Sequence, residues 1–258
     1  MNEGPLRVVV TGGAGGIGLA IAKAFVADGA LVHICDVDDE RIAAIPEQSI
    51  NLSATLCDVA NHESVSALFS ALRTSLGGLD VLINNAAITG PFGPVEDNDP
   101  AAWARTIAVN LVGQFNCVQQ AVPLLKSAGG GSIVNISSVA GRLGYPLRTA
   151  YAASKWGIIG LTQSLAMELG PDSIRVNAIL PGIVSGSRQS KQQKIQADRL
   201  GITDEEMQKR YVANISLRTK VTEQEVAELI LFITSAAGRS ITGQSLGVCG
   251  NVESMQRG

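Results

Sequence analysis

The chain has 258 residues, 46% hydrophobic and 17% charged, with a net charge of −3, which suits one α/β domain and leaves no basic field for nucleic acid or an anionic membrane. The short polar start is followed by an apolar run that breaks at Gly12, so no secretion signal is expected, and no stretch reaches the roughly 20 apolar residues of a membrane helix. Cys35, Cys57, Cys117 and Cys249 lie far apart, which fits neither a zinc site nor a disulfide framework, so a cytoplasmic protein without a metal is expected.

A first strand is predicted over residues 7–10 and a helix over 18–28. Between them lies Thr11-Gly12-Gly13-Ala14-Gly15-Gly16-Ile17-Gly18. Glycines let the backbone turn tightly and approach a pyrophosphate, while N–H groups and the helix dipole favour the negative charge. Gly12, Gly16, Ile17 and Gly18 are therefore candidate cofactor contacts. A second strand over 30–35 is closed by Asp36, about 20 residues after the turn, where a carboxylate accepts from the adenosine ribose hydroxyls and repels a 2′-phosphate. Ala14 and Val37 supply no cation to offset that repulsion, so NAD is expected ahead of NADP.

The third strand, 53–57, ends at Asp58-Val59. Asp58 either accepts from the adenine amino group or caps a helix. A helix over 63–76, a strand over 81–83, a helix over 101–125 and a strand over 131–136 follow, by apolar spacings of three and four or by short β-branched runs. The last of these strands leads into Ser137 and Ser138, and a helix over 151–169 carries Tyr151 and Lys155. A strand over 173–178, a helix over 223–235 and a strand over 245–249 complete the alternation, which predicts a doubly wound parallel sheet with helices on both faces and ligands at the strand carboxyl ends. Residues 185–218 interrupt this rhythm, and a polar excursion of that length is expected to form a substrate lid.

Tyr151 and Lys155 project from one helix face about a turn apart. A phenol titrates near pH 10, and lowering it by about 3 units takes roughly 4 kcal/mol of phenolate stabilisation, of the sign that a neighbouring ammonium supplies. Ser138 precedes Tyr151 and can reach the same strand-end cleft to hold a substrate oxygen, with Ser137 as its competitor. In the polar segment Arg188, Lys191, Lys194, Arg199, Lys209 and Arg210, together with Arg142 and Arg148, offer guanidinium or ammonium groups to a carboxylate or sugar hydroxyl. Solvated surface charge is the competing reading.

In this combination the sequence resembles the classical short-chain dehydrogenase/reductase family from residue 7 to about 252. The resemblance rests on Thr11 to Gly18, on Asn84-Asn85-Ala86-Ala87, on Asn110, on Ser138, Tyr151 and Lys155, and on the stretch from Arg175 to Gly182. It implies a single Rossmann-like domain, with Asp58, Val59, Asn85, Ala86, Ala87, Pro181, Ile183 and Val184 added to the cofactor contacts. By the same resemblance Tyr151 exchanges a proton, Lys155 binds the nicotinamide ribose, Ser138 polarises a carbonyl and Asn110 helps to position a water. The reaction implied is hydride transfer between NAD and a secondary alcohol or ketone, with a small polar substrate such as a sugar, polyol or hydroxy acid.

Relatives of this kind are commonly homo-oligomers, so a dimer or tetramer built through the helices over 101–125 and 151–169 is expected. Three departures stand out: Ala87 where a glycine is usual, Gly186 where many members carry a threonine, and Val248-Cys249-Gly250-Asn251 in place of Val-Asp-Gly-Gly. The alternatives are a non-catalytic NAD-binding redox sensor and a sugar-nucleotide epimerase or dehydratase. The intact Ser138, Tyr151 and Lys155 count against the first, and the short chain after Val221 against the second.

Overall fold

Each apolar run becomes a strand of one parallel sheet: β1 Arg7–Thr11, β2 Leu31–Asp36, β3 Leu52–Leu56, β4 Val81–Asn84, β5 Gly131–Ile136, β6 Ile174–Pro181 and β7 Ser245–Val248. The order across the sheet is β3-β2-β1-β4-β5-β6-β7. The computed structural model describes residues 4–45 and 50–255, without the side chains of Ser187, Arg188, Lys191, Gln192, Gln196 and Arg199. The helices are α1 Gly16–Ala27, α2 Asp39–Ala43, α3 His62–Ser75, α4 Pro100–Ile107, α5 Gly113–Ser127, α6 Thr149–Leu169, α7 Ser187–Leu200, α8 Asp204–Val212 and α9 Glu223–Thr234.

Alternate strand residues feed opposite faces. Val8, Val10 and Ile34 pack with Ile21 and Phe25 of α1 and with Val226 and Ile230 of α9. Val9, Leu82, Ile133 and Val176 pack on the other face with Leu68 and Phe69 of α3 and Leu125 of α5. Each such Ile or Phe taken out of water contributes roughly 1.5–3 kcal/mol. With both faces covered, the strands read as near-continuous apolar runs instead of alternating ones. The chain crosses between β1 and β4, where the strand order reverses, and this topology opens a crevice at the strand carboxyl ends.

The structure departs from the sequence expectation in four places. The helix predicted over 101–125 is α4 and α5 joined by a π-helical turn at Ala108–Val112, a distortion that apolar periodicity does not register and that frequently marks a functional site. β6 continues to Pro181 because Ala178–Pro181 pair with β7. The polar segment 185–218 contains α7 and α8, whose residues are too hydrophilic to show an apolar stripe; a Thr203/Glu206 capping box starts α8, and Gly201 at φ 63° ends α7. The five-residue α2 is too short to give a period. Among the described residues no helix is long and apolar enough to cross a membrane.

Candidate active site

The glycine turn is fastened to the end of β4. Thr11 Oγ1 accepts from Asn85 N at 3.0 Å and Ala86 N at 3.1 Å, while Asn85 Nδ2 donates to the carbonyls of Thr11 (3.0 Å) and Gly12 (2.9 Å). Gly12 sits at φ +61°, and a Cβ there would lie 2.8 Å from Ala86 Cα; only glycine meets both demands. No side chain caps the N-terminus of α1, so the first-turn N–H groups of Gly16 and Ile17 are left at the cleft wall. Ala87 lies outside the left-handed region, which is why alanine can replace the usual glycine there.

A cleft of about 1290 Å³ runs from this turn along the strand ends. Gly12, Gly16, Ile17, Asp36, Asp58, Val59, Asn85, Ala86 and Ala87 line one end, and Ser138, Tyr151, Lys155, Pro181, Ile183 and Val184 line the other. Of the expected contacts, Gly18 and Asn110 lie behind this wall. A Cβ on Gly18 would run into the Gly12 carbonyl, so its role is to let α1 pack close to the turn. Asn110 sits in the π-helical turn and clamps Ile88, donating from Nδ2 to the Ile88 carbonyl (2.9 Å) and accepting at Oδ1 from its N–H (2.8 Å). The same Nδ2 reaches Ser154 Oγ at 3.0 Å.

Asp36 receives Ala14 N at 3.2 Å and Val37 N at 2.8 Å, which fixes its carboxylate at the tip of β2. Asp58 is not a helix cap, because Asn61 caps α3 by accepting from Ser64 N. Its carboxylate instead meets Arg105 Nη2 at 2.7 Å and Ala60 N at 2.9 Å. Burial pulls that carboxyl upward, but these donors outweigh it and hold the group below its usual range.

Two features at this end were hidden in the sequence. Arg41 lies over the turn, its Nη1 2.7 Å from where a Gly15 Cβ would stand, and pairs with Asp38 at 3.0 Å; no local signal in the short α2 foretells that reach. Cys35 and Cys57, remote in sequence, meet across β2 and the end of β3, and the Cys35 hydrogen bond holds the Cys57 thiol below its usual range. All four cysteines are buried and free.

At the other end β5 delivers the two serines to different tasks. Ser137 is buried and donates to the Lys155 carbonyl at 2.8 Å. Ser138 faces the cleft and accepts from Ala140 N at 3.2 Å. Lys155 is only 1% exposed; its Nζ donates to the Ile136 carbonyl at 2.9 Å and stands 5.5 Å from the Tyr151 ring centroid. Burial lowers this ammonium to about 7. A buried cation beside a phenol is an arrangement suited to proton exchange with a substrate oxygen.

Gly186 faces the carboxylate of Glu223. A Cβ there would come within 2.8 Å of Glu223 Oε1, so a side chain at 186 requires the carboxylate of the first residue of α9 to swing aside. Cys249, in the departing C-terminal motif, accepts from Arg142 Nη2 at 3.2 Å and abuts Gly182.

Near the Tyr151 end, α7 and α8 supply Gln189, Met207, Arg210 and Tyr211 to the cleft lining. Of the cations expected there, Arg148 and Arg210 line the cleft, Lys194, Lys209 and Arg142 are exposed away from it, and the side chains of Arg188, Lys191 and Arg199 lie outside the described residues.

Residues 7–198 match the family described as short chain dehydrogenase. The chain is 38% identical over 252 residues to trans-4-hydroxycyclohexanecarboxylate dehydrogenase of Sinomonas cyclohexanicum, covering 94% of this chain and 90% of that protein. Among solved structures it resembles an actinorhodin polyketide ketoreductase with NADPH (TM-score 0.90, 30% identity, 96% and 97% of the two chains). It also resembles an NAD⁺-bound xylitol dehydrogenase (TM-score 0.89, 29% identity, 97% and 100% of the two chains).

Proposed function

The chain belongs to the short-chain dehydrogenase family, and from that premise we propose that it is an NAD-dependent oxidoreductase of small polar secondary alcohols or their ketones, with Tyr151 as the proton-exchanging group. The observation that carries this reading is the single cleft shared by the glycine turn and by Ser138, Tyr151 and the buried Lys155. The cradle fits a dinucleotide, because Gly12 and Gly16 hold positive φ (+61° and +54°) beneath an uncapped helix N-terminus. Nicotinamide, when bound, supplies the hydride acceptor or donor.

The protein's own groups supply the rest. Ser138 donates to the substrate oxygen and fixes it beside Tyr151. Tyr151 takes the hydroxyl proton in oxidation and returns it in reduction. The Lys155 ammonium favours the phenolate and reaches the ribose side of the cleft, and Ile183 and Val184 hold the carboxamide side. The parallel bridge between Val184 and Val221, with Val221 N donating to the Ile183 carbonyl at 3.0 Å, steadies that wall. Asn110 keeps Ile88 in place beneath the site. The substrate class is supported by relatives that act on a hydroxycyclohexanecarboxylate and on xylitol.

NAD preference rests on Asp36, and two cations at that end of the cleft that the sequence pattern overlooked, Arg41 and Arg105, are engaged by Asp38 and Asp58. Replacing Asp36 by Ala together with Val37→Arg is expected to lower the ratio of NAD to NADP kcat/KM by roughly 100-fold, since a repelling carboxylate is exchanged for a guanidinium. Initial rates with each cofactor test this, and an unchanged ratio removes Asp36 as the selector.

Assembly through α5 and α6 is supported by exposed Phe115, Trp156 and Met167 (48%, 51% and 82%). Exposed large apolar side chains on a helix surface can mark an interface. Sedimentation is expected to give a dimer or tetramer, and Trp156→Glu to shift it toward monomer; a wild-type monomer refutes the assembly. The reaction itself is tested by reduced-nicotinamide absorbance with NAD and NADP against sugars, polyols, hydroxy acids and cyclic alcohols. Silence across that panel would favour the sensor reading.

A further inference from the structure

We propose that Arg148 forms an anion subsite at the substrate end of the cleft, so that the alcohol or ketone acted on carries a carboxylate or a group of like charge. The inference deepens the functional reading above and rests on it for the position of the reacting carbon near Tyr151.

Arg148 is held in place from three sides. The preceding residue, Leu147, adopts φ 64°, a left-handed conformation unfavourable for a non-glycine residue, and its carbonyl is pinned by Gly93 N at 3.0 Å. Strain of this kind persists where surrounding contacts enforce it, and it clusters at ligand clamps. The Arg148 guanidinium carbon lies 5.0 Å from the Phe92 ring centroid and 5.8 Å from that of Tyr145. Contacts to ring faces hold the guanidinium while its N–H edge stays suited to bidentate recognition of a carboxylate.

The charge around it is one-sided. No carboxylate among the described residues forms an ion pair with Arg148. The acids that line the cleft are Asp36, Asp58 and Glu223; the first two stand where the adenosine half belongs and the third beside Gly16 and Gly186, and Asp58 is already paired with Arg105. The substrate end offers Arg210, Gln189, Asn214 and the phenols of Tyr145 and Tyr211. Tyr211 is raised by burial and drawn back by Gln189 and by the Arg148 charge, which places α8 within electrostatic reach of the guanidinium. A cationic, donor-rich pocket one helical turn before Tyr151 therefore lacks an internal anion to complete it. The apolar walls from Ile88, Met207, Val252 and Met255 suit a hydrocarbon body between the anion and the reacting carbon.

The test separates binding from turnover. Cyclohexanecarboxylate, which has no alcohol to oxidise, and its neutral carboxamide are titrated calorimetrically into wild type, Arg148→Gln and Arg148→Lys, with and without NAD. We expect the carboxylate to bind wild type at least tenfold more tightly than the amide, the advantage to vanish in Arg148→Gln, and Arg148→Lys to restore part of it. Equal or undetectable binding of the two probes to wild type, or an advantage that survives in Arg148→Gln, overturns the subsite. Failure of the hydride-transfer reading shows itself separately, as absence of reduced nicotinamide from any hydroxy compound while the binding difference remains.

Discussion

Tyr151→Phe is expected to lower kcat by roughly 100- to 10,000-fold, the range that a positioned acid–base group supplies, while NAD affinity stays within about threefold of wild type. The substitution deletes one oxygen and retains the ring beside which Lys155 Nζ stands at 5.5 Å. Packing and the glycine turn are therefore left alone, and the loss should fall on turnover. Initial rates at saturating NAD, paired with nucleotide titration by fluorescence, make the check. Activity equal to wild type would remove Tyr151 from proton exchange and pass the role to another group at this end of the cleft.

Lys155→Met is expected to abolish most activity and yet to stabilise the nucleotide-free protein, and the two effects have one cause. Lys155 is buried, and burial lowers it to about 7 from 10.5. The folded state therefore resists charging this group, whereas the unfolded chain carries the charge freely up to its ordinary value. The resulting penalty is complete below about pH 7 and fades as pH rises toward 10.5. Methionine matches the length of the chain without the charge, and the Ile136 carbonyl keeps the Gln114 amide at 3.4 Å. The variant should gain about 4 to 5 kcal/mol at pH 6.5, from a fall from 10.5 to about 7 at roughly 1.4 kcal/mol per unit, read as a markedly higher melting temperature, with the gap closing toward pH 10.5. A gap independent of pH, or a destabilised variant, would show that Lys155 is not held against its charged state.

The same lysine shows how site and stability are coupled in this fold. Ser137 bonds the Lys155 backbone, Lys155 bonds the end of β5, and Asn110 ties the π-helical turn both to Ile88 and to Ser154 on α6. The side chains proposed to move protons thus stand on elements tied to one another by these bonds. A left-handed backbone and a half-buried cation are found instead at Leu147 and Arg148, at the end where the substrate's identity would be read.

Where local pattern and chemistry coincide, the sequence was enough. The glycine turn, Asp36, the Tyr151/Lys155 pair and Ser138 are each legible because they sit at a strand end or on one helix face, and strand–helix alternation fixes those places. The seven strands were also legible: burial on both faces gives the central strands continuous apolar runs, while the partly exposed edge strands β3 and β7 still show short runs bounded by turns. Contacts between remote segments were decided only by the tertiary structure. Arg105 and Asp58 are separated by 47 residues, Arg41 reaches Gly15 from a helix too short to show a period, and Cys35 meets Cys57 across neighbouring strands. The π-helical turn at Asn110, the helices α7 and α8, and the left-handed Leu147 likewise escaped the pattern, because hydropathy reports which residues face a core and not how backbone hydrogen bonds are spaced. Sequence by itself determined the doubly wound scaffold and the candidate chemical groups; packing decided which of those groups face the cleft and which are buried behind it, because a side chain's neighbours come from segments remote in the chain.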